Sequence, residues 1–249
     1  MSGFSGYMSR VGIRAATVDT QLAKRNFYPG EEVEGEVVIK GGAVEQRVEK
    51  IDLRLMVSIQ REASTRHYTW QTYPLEGVVI APREEQRVPF TIRLPYDLPI
   101  SGANHHISIK TGLDIEKAID PSDSDRILVE LHPKAKAVIE VFEKLNFRLH
   151  QRDSEAASKY RSQRPFVMEY ELKPVFGSHY AETFDEVELA FEEIDGDLGV
   201  AMLIDQRRSG LAEKLDLDET LVKFPVTDAA LAKPRLLKET IQDQLERFI

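Results

Sequence analysis

The sequence predicts a mostly β protein: an antiparallel β-sandwich in two lobes, with a short helix after the first lobe and an amphipathic helix at the C-terminal end. Three observations lead there. Apolar residues recur at every second position through much of the chain, the period of a strand with one buried face. Clusters of Gly and Pro separate these runs at spacings suited to antiparallel connections. Around Lys134 and after Pro234 the period changes to three and four, which places a helix at each point.

The elements follow in chain order. The turn Tyr28-Pro29-Gly30-Glu31, with Gly30 free to take a positive φ, leads into the alternation Val33, Gly35, Val37 and Ile39. After Gly41-Gly42 the run Ile51, Leu53, Leu55, Val57 and Ile59 is interleaved with Asp52, Arg54, Met56 and Ser58. His67 to Tyr73 reads as part of a hairpin. Val88, Phe90, Ile92 and Leu94 alternate next, then Ile107, Ile109, Thr111 and Leu113, then Ile127, Val129 and Leu131. Ala135, Val138, Ile139, Phe142 and Leu145 form one stripe of a helix that closes a first domain, residues 1–147. Residues 148–249 are expected to form a second, smaller β-sandwich lobe. It opens with a polar stretch from His150 to Gln163 and continues with two-fold patterns at Phe166–Leu172, Val187–Phe191 and Val200–Ile204. Pro234 starts the last helix, whose stripe Leu237, Ile241, Leu245 and Phe248 suits packing on the sandwich better than free docking.

Composition narrows the function. Apolar residues make up 42% and charged residues 30%, the balance of a soluble globular chain. Without cysteine there is no disulfide, thiolate zinc site, iron–sulfur cluster or cysteine nucleophile. The first residues lack the apolar core of a signal peptide and no run reaches spanning length, so a cytoplasmic location is expected. A net charge of -9 with dispersed Lys and Arg argues against a nucleic-acid partner.

Val88-Pro89-Phe90-Thr91-Ile92-Arg93-Leu94-Pro95, followed by Leu98-Pro99-Ile100-Ser101, resembles the signature of arrestin-type N-terminal domains. The combination of Val18-Asp19-Thr20, Gly41-Gly42 with Glu45-Gln46, and Thr111-Gly112-Leu113-Asp114-Ile115 running on to Ala118-Ile119-Asp120-Pro121 is similar to the bacterial sporulation-control protein M family, a branch of the arrestin-like superfamily. The likeness covers residues 10–150 best. It implies a non-enzymatic regulatory or scaffolding protein that binds protein partners through sandwich edges and loops, with the same edges available for pairing two copies of the chain.

Candidate site residues are correspondingly those of contact. Asp120-Pro121-Ser122-Asp123-Ser124-Asp125 reads as an acidic loop, and Asp114, Asp120, Asp123 and Asp125 together could present an acidic patch to a basic partner. As a calcium loop it lacks the glycine and glutamate at the sixth and twelfth positions, held here by Asp125 and Leu131. Trp70 and Tyr73 are candidate aromatic anchors, although one face of their hairpin must join a core. His105 and His106 are adjacent, so a strand sends their rings to opposite faces, and no metal or cofactor is expected. Neither a nucleophile elbow nor a phosphate loop occurs, and Ser209-Gly210 stands without an organised His or Asp, so no catalytic residue is assigned. The alternative reading is a small-molecule or carbohydrate-binding sandwich with weak hydrolase activity, which would need a concave pocket.

Overall fold

Two antiparallel sheets facing one another build the first part of the chain, as the alternation requires. The computed structural model describes residues 16–61, 64–116, 120–207 and 219–249. Ala118-Ile119 and Ser209-Gly210 lie outside the described residues. The chain divides into two compact units: one comprises the chain up to Phe27, Glu32–Arg93 and Ser101–Leu128, the other Tyr28–Glu31, Leu94–Ile100 and Val129–Ile249.

In the first unit, β1 (Thr17–Leu22), β3 (Glu32–Lys40) and β6 (Glu85–Arg93) form a sheet in the order β1-β3-β6. Across from it, β2 (Asn26–Phe27), β4 (Gln46–Arg61), β5 (Ser64–Ile80), β7 (His105–Ile115) and β8 (Ser122–Val129) are ordered β2-β8-β7-β4-β5. The two-fold patterns fill the space between. Ile51, Leu53, Leu55 and Val57 of β4, Ile107 and Ile109 of β7, and Val33, Val37 and Ile39 of β3 are all fully buried. Pro89 falls on β6, an edge strand, where a missing ladder donor is tolerated.

The second unit has one sheet, β13-β12-β11-β10-β9, made of β9 (Phe147–Glu155), β10 (Val167–Pro174), β11 (Phe184–Ile194), β12 (Asp197–Gln206) and β13 (Glu219–Pro225). Its second layer is helical, where the sequence led us to expect another sheet. Helix α1 (Pro133–Lys144) begins with proline at its first position, and the His132 ring accepts the Lys134 amide at 3.0 Å. The predicted stripe of α1 packs with Leu237, Ile241 and Leu245 of α3 (Pro234–Glu246) onto Leu172, Val187, Leu189, Val200 and Met202 of the sheet. The helix therefore contributes to the second unit's core, and the compact units part before it, not at residue 147. An apolar stripe states that a face is buried, not which sheet buries it.

Two local features stabilise this unit. Gly30 adopts the expected positive φ of 81°, and a Cβ there would lie 2.2 Å from the Tyr96 ring, so glycine is required twice over. The Lys134 ammonium, almost fully buried, reaches Asp197 and, at 2.8 Å, Asp228 of the short helix α2 (Asp228–Ala232). Burial alone would lower its pKa; the two carboxylates outweigh that and hold it above the ordinary lysine value.

Candidate interaction surfaces

Asp123 and Asp125 are strand residues, not loop residues. The segment read as an acidic loop is the first half of β8, where pairing with β7 overrides the turn preference of its Asp and Ser residues. The register sets Asp123 opposite Thr111 and Asp125 opposite Ile109, both on the inward face. Thr111 is fully buried, and its hydroxyl shares a hydrogen bond with that of Thr20 on β1. The Thr20 amide, on the edge of β1 away from β3, donates to Asp123 Oδ2 at 2.8 Å. An acidic seam thus ties one open side of the sandwich.

Asp125 is the electrostatically costly member. Its Oδ1 stands 3.5 Å from the Arg25 guanidinium, while Oδ2 is buried without a hydrogen bond among the described residues. Burial first, then the neighbouring Asp123 carboxylate, pushes its pKa up to about 7, with a smaller push from Asp19 and Arg25 acting the other way. Asp114 and Asp120 are exposed, and Asp120 accepts the Ile115 amide at 3.2 Å. The four aspartates are thus two pairs with different surroundings.

The aromatic pair is mostly structural. A register shift between Leu55 and Met56 gives β5 one extra residue, and Trp70 in that bulge is only 4% exposed. Tyr73 is half-buried, and its hydroxyl donates to the Arg93 carbonyl at the end of β6, bridging the other side of the sandwich. The sequence could have signalled Thr20, Thr111 and Arg25 as seam partners through one feature: a polar Thr111 standing among inward Ile107, Ile109 and Leu113.

A family model described as SpoOM protein matches residues 4–208 of the chain. The chain belongs to this family. It is 37% identical over 257 residues to the sporulation-control protein spo0M of Bacillus subtilis (strain 168), a match spanning 100% of this chain and 99% of that protein. The crystal structure of Spo0M, sporulation control protein, from Bacillus subtilis aligns with a TM-score of 0.71 at 35% identity, covering 94% of this chain and 99% of that one. The sequence resemblance to the sporulation-control family is thus borne out along the full length, and so is the mostly β fold.

In this SpoOM-family chain two of the edge strands are guarded. The edge strand β5 carries both the Trp70 bulge and Pro74, and β9 has a register shift opposite Glu171 and Leu172 with Arg148, His150 and Arg152 exposed along it. A small cavity in the second unit, among Tyr96, His132, Tyr170 and Phe191, measures about 30 Å³. A shallow open depression of about 480 Å³ lies on the first unit beside Gln21, Glu34 and Thr91. His106 receives Arg126 Nη2 on its Nδ1 at 2.7 Å and His67 Nδ1 lies 2.7 Å from Ser58 Oγ, so each ring is engaged by a neighbouring side chain. Among the described residues no three His or carboxylate groups converge as metal ligands, and no helix is long and apolar enough to cross a membrane.

Proposed function

We propose that this chain is a non-enzymatic regulatory protein of the cytoplasm that works by protein–protein contact, as a two-lobed member of the arrestin-like superfamily. The observation that carries the proposal is the end-to-end likeness to a protein named for sporulation control. Its exposed loops and solvent-facing sheet surfaces supply contact area, and of the four candidate aspartates Asp114 and Asp120 are the ones exposed to a basic partner. Two copies pair, on this reading, through a strand edge.

Crosslinking and affinity capture from the native bacterium test the reading, comparing wild type with Asp114→Lys/Asp120→Lys. A specific protein captured by wild type and weakened in the variant supports it. Capture of none, together with thermal stabilisation by one member of a metabolite panel, transfers the reading to a ligand-binding sandwich. Sedimentation across a hundredfold concentration range tests the pairing, and microscopy of a fluorescent fusion tests the location.

A further inference from the structure

The solvent face of the five-stranded sheet carries a patch of opposite sign to the protein as a whole. The register puts Arg54 of β4 directly across from Lys110 of β7, and Lys110 across from Ser124 of β8. One row further on, Met56 is across from Ser108, and Ser108 from Arg126. Strand residues directly opposite one another project to the same side, so these belong to one face. Arg54, Lys110 and Arg126 are exposed, as expected for the face away from the core.

Three consecutive rows across β5, β4, β7 and β8, from the row of Ser58 to the row of Arg54, contain no carboxylate. In a chain with 42 acidic residues in 249, a surface of eleven positions would ordinarily hold about two. Instead it holds three fixed cations and the hydroxyls of Ser58, Ser108, Ser124 and two threonines of β5. Lys110 and Arg126 have no carboxylate within 4 Å among the described residues, and Arg54 has only Asp52, at 3.8 Å and shared with Lys50. Like charges directly opposite in a sheet repel. The Arg54–Lys110 pair is therefore a cost in the free protein that a bound anion would relieve.

From this geometry we infer that the face built on Arg54, Lys110 and Arg126 is a docking surface for a short acidic peptide segment of a partner protein. Guanidinium groups and hydroxyls present fixed donors to carboxylates, and the cations span adjacent strands, a width one extended segment covers. The net charge of -9 selects against longer polyanions. A nucleic acid or an anionic bilayer extends beyond the patch over a protein of net charge -9, whereas a short segment ends inside it. The inference rests on the reading as a contact protein, yet its test needs no native partner.

The probe is a fluorescently labelled peptide of four glutamates, about as long as the patch at roughly 3.3 Å per extended residue, with binding to the full chain followed by anisotropy at 50 and 300 mM salt. Binding that weakens with salt is expected, and Arg54→Glu/Lys110→Glu/Arg126→Glu should reduce affinity at least tenfold. A control of equal charge change in the other unit, Lys136→Glu/Lys144→Glu/Lys233→Glu, should stay within about threefold of wild type. A glutamine triple at the same three patch positions covers any misfolding of the reversal variant and should also lose binding. No binding at 50 mM salt, or equal loss in the control, overturns the inference. Stronger patch-dependent binding to phosphatidylglycerol vesicles than to the peptide overturns it in favour of a lipid surface. Peptide binding without any partner captured from cells would leave this surface standing and the wider functional reading failing.

Discussion

Asp123 on β8 accepts the backbone amide of Thr20 on β1, and this one bond replaces the strand that β1 lacks on its outer edge. The donor is a main-chain group that would otherwise face the seam unpaired, and the acceptor is a carboxylate of the opposing sheet. Asp123→Ala should therefore cost about 1.5–3 kcal/mol, the worth of a hydrogen bond to a charged group whose loss strands its partner. Asp123→Asn keeps an acceptor oxygen and should cost clearly less. Urea denaturation followed by fluorescence reads both; equal losses for the two variants would show that the bond itself is immaterial.

Asp125 makes the seam sensitive to pH. Its pKa in the folded protein is about 7, raised from the ordinary aspartate value that applies when unfolded. Between about pH 4 and 7 the folded state thus binds the extra proton, and its contribution to stability, fully present below pH 4, is lost as pH rises through 7. Asp125→Asn is neutral throughout and removes that dependence. Relative to wild type, the variant should gain stability from pH 5 to about pH 7 and level off above it in matched melts. A difference that stays flat over that window would place the Asp125 carboxyl in an ordinary solvated state.

How far the fold could be read from the sequence follows burial on two faces. β4 and β7 each have one inward face lined by Ile, Leu and Val, so their period of two is plain. β9 is an edge strand whose residues after Phe147 are exposed or half-buried, and a strand without a buried face leaves no period; from His150 onward it falls in the stretch that reads only as polar. Asp and Ser favour turns locally, which concealed that Asp123 and Asp125 continue the inward run of Ile127 and Val129. Trp70 was ambiguous because a one-residue bulge decides its direction, and no local pattern encodes the bulge. The basic patch was invisible for another reason. Arg54, Lys110 and Arg126 are far apart in sequence and meet only through register.

Lys134 and Asp197 should respond unequally to removal. The lysine side chain is 6% exposed, whereas Asp197 is 35% and Asp228 91% exposed. Lys134→Met replaces a buried ammonium by a methylene chain and releases two carboxylates that water can reach, so the change should stay within about 1 kcal/mol. Asp197→Ala leaves the buried ammonium with Asp228 alone and also removes the acceptor of the Leu198 amide, held at 2.7 Å. It should cost about 2–4 kcal/mol. Thermal melts of the two variants give the ordering directly; a costlier lysine variant would contradict the burial asymmetry.

The last helix should prove to be part of the core. Leu237, Ile241 and Leu245 of α3 are fully buried against α1 and the second sheet, while Phe248 is only partly so. Burying each such side chain contributes about 1.5–3 kcal/mol, so the three together approach the whole stability of a typical domain. Truncation before Pro234 should then leave the second unit unfolded, seen as a lost unfolding transition in calorimetry and rapid proteolysis beyond α1. Leu245→Ala is the graded form, expected to cost about 2–5 kcal/mol through the cavity it opens. If α3 served chiefly to dock on another protein, the truncated chain would melt as the intact one does, and Leu245→Ala would change partner affinity without changing stability.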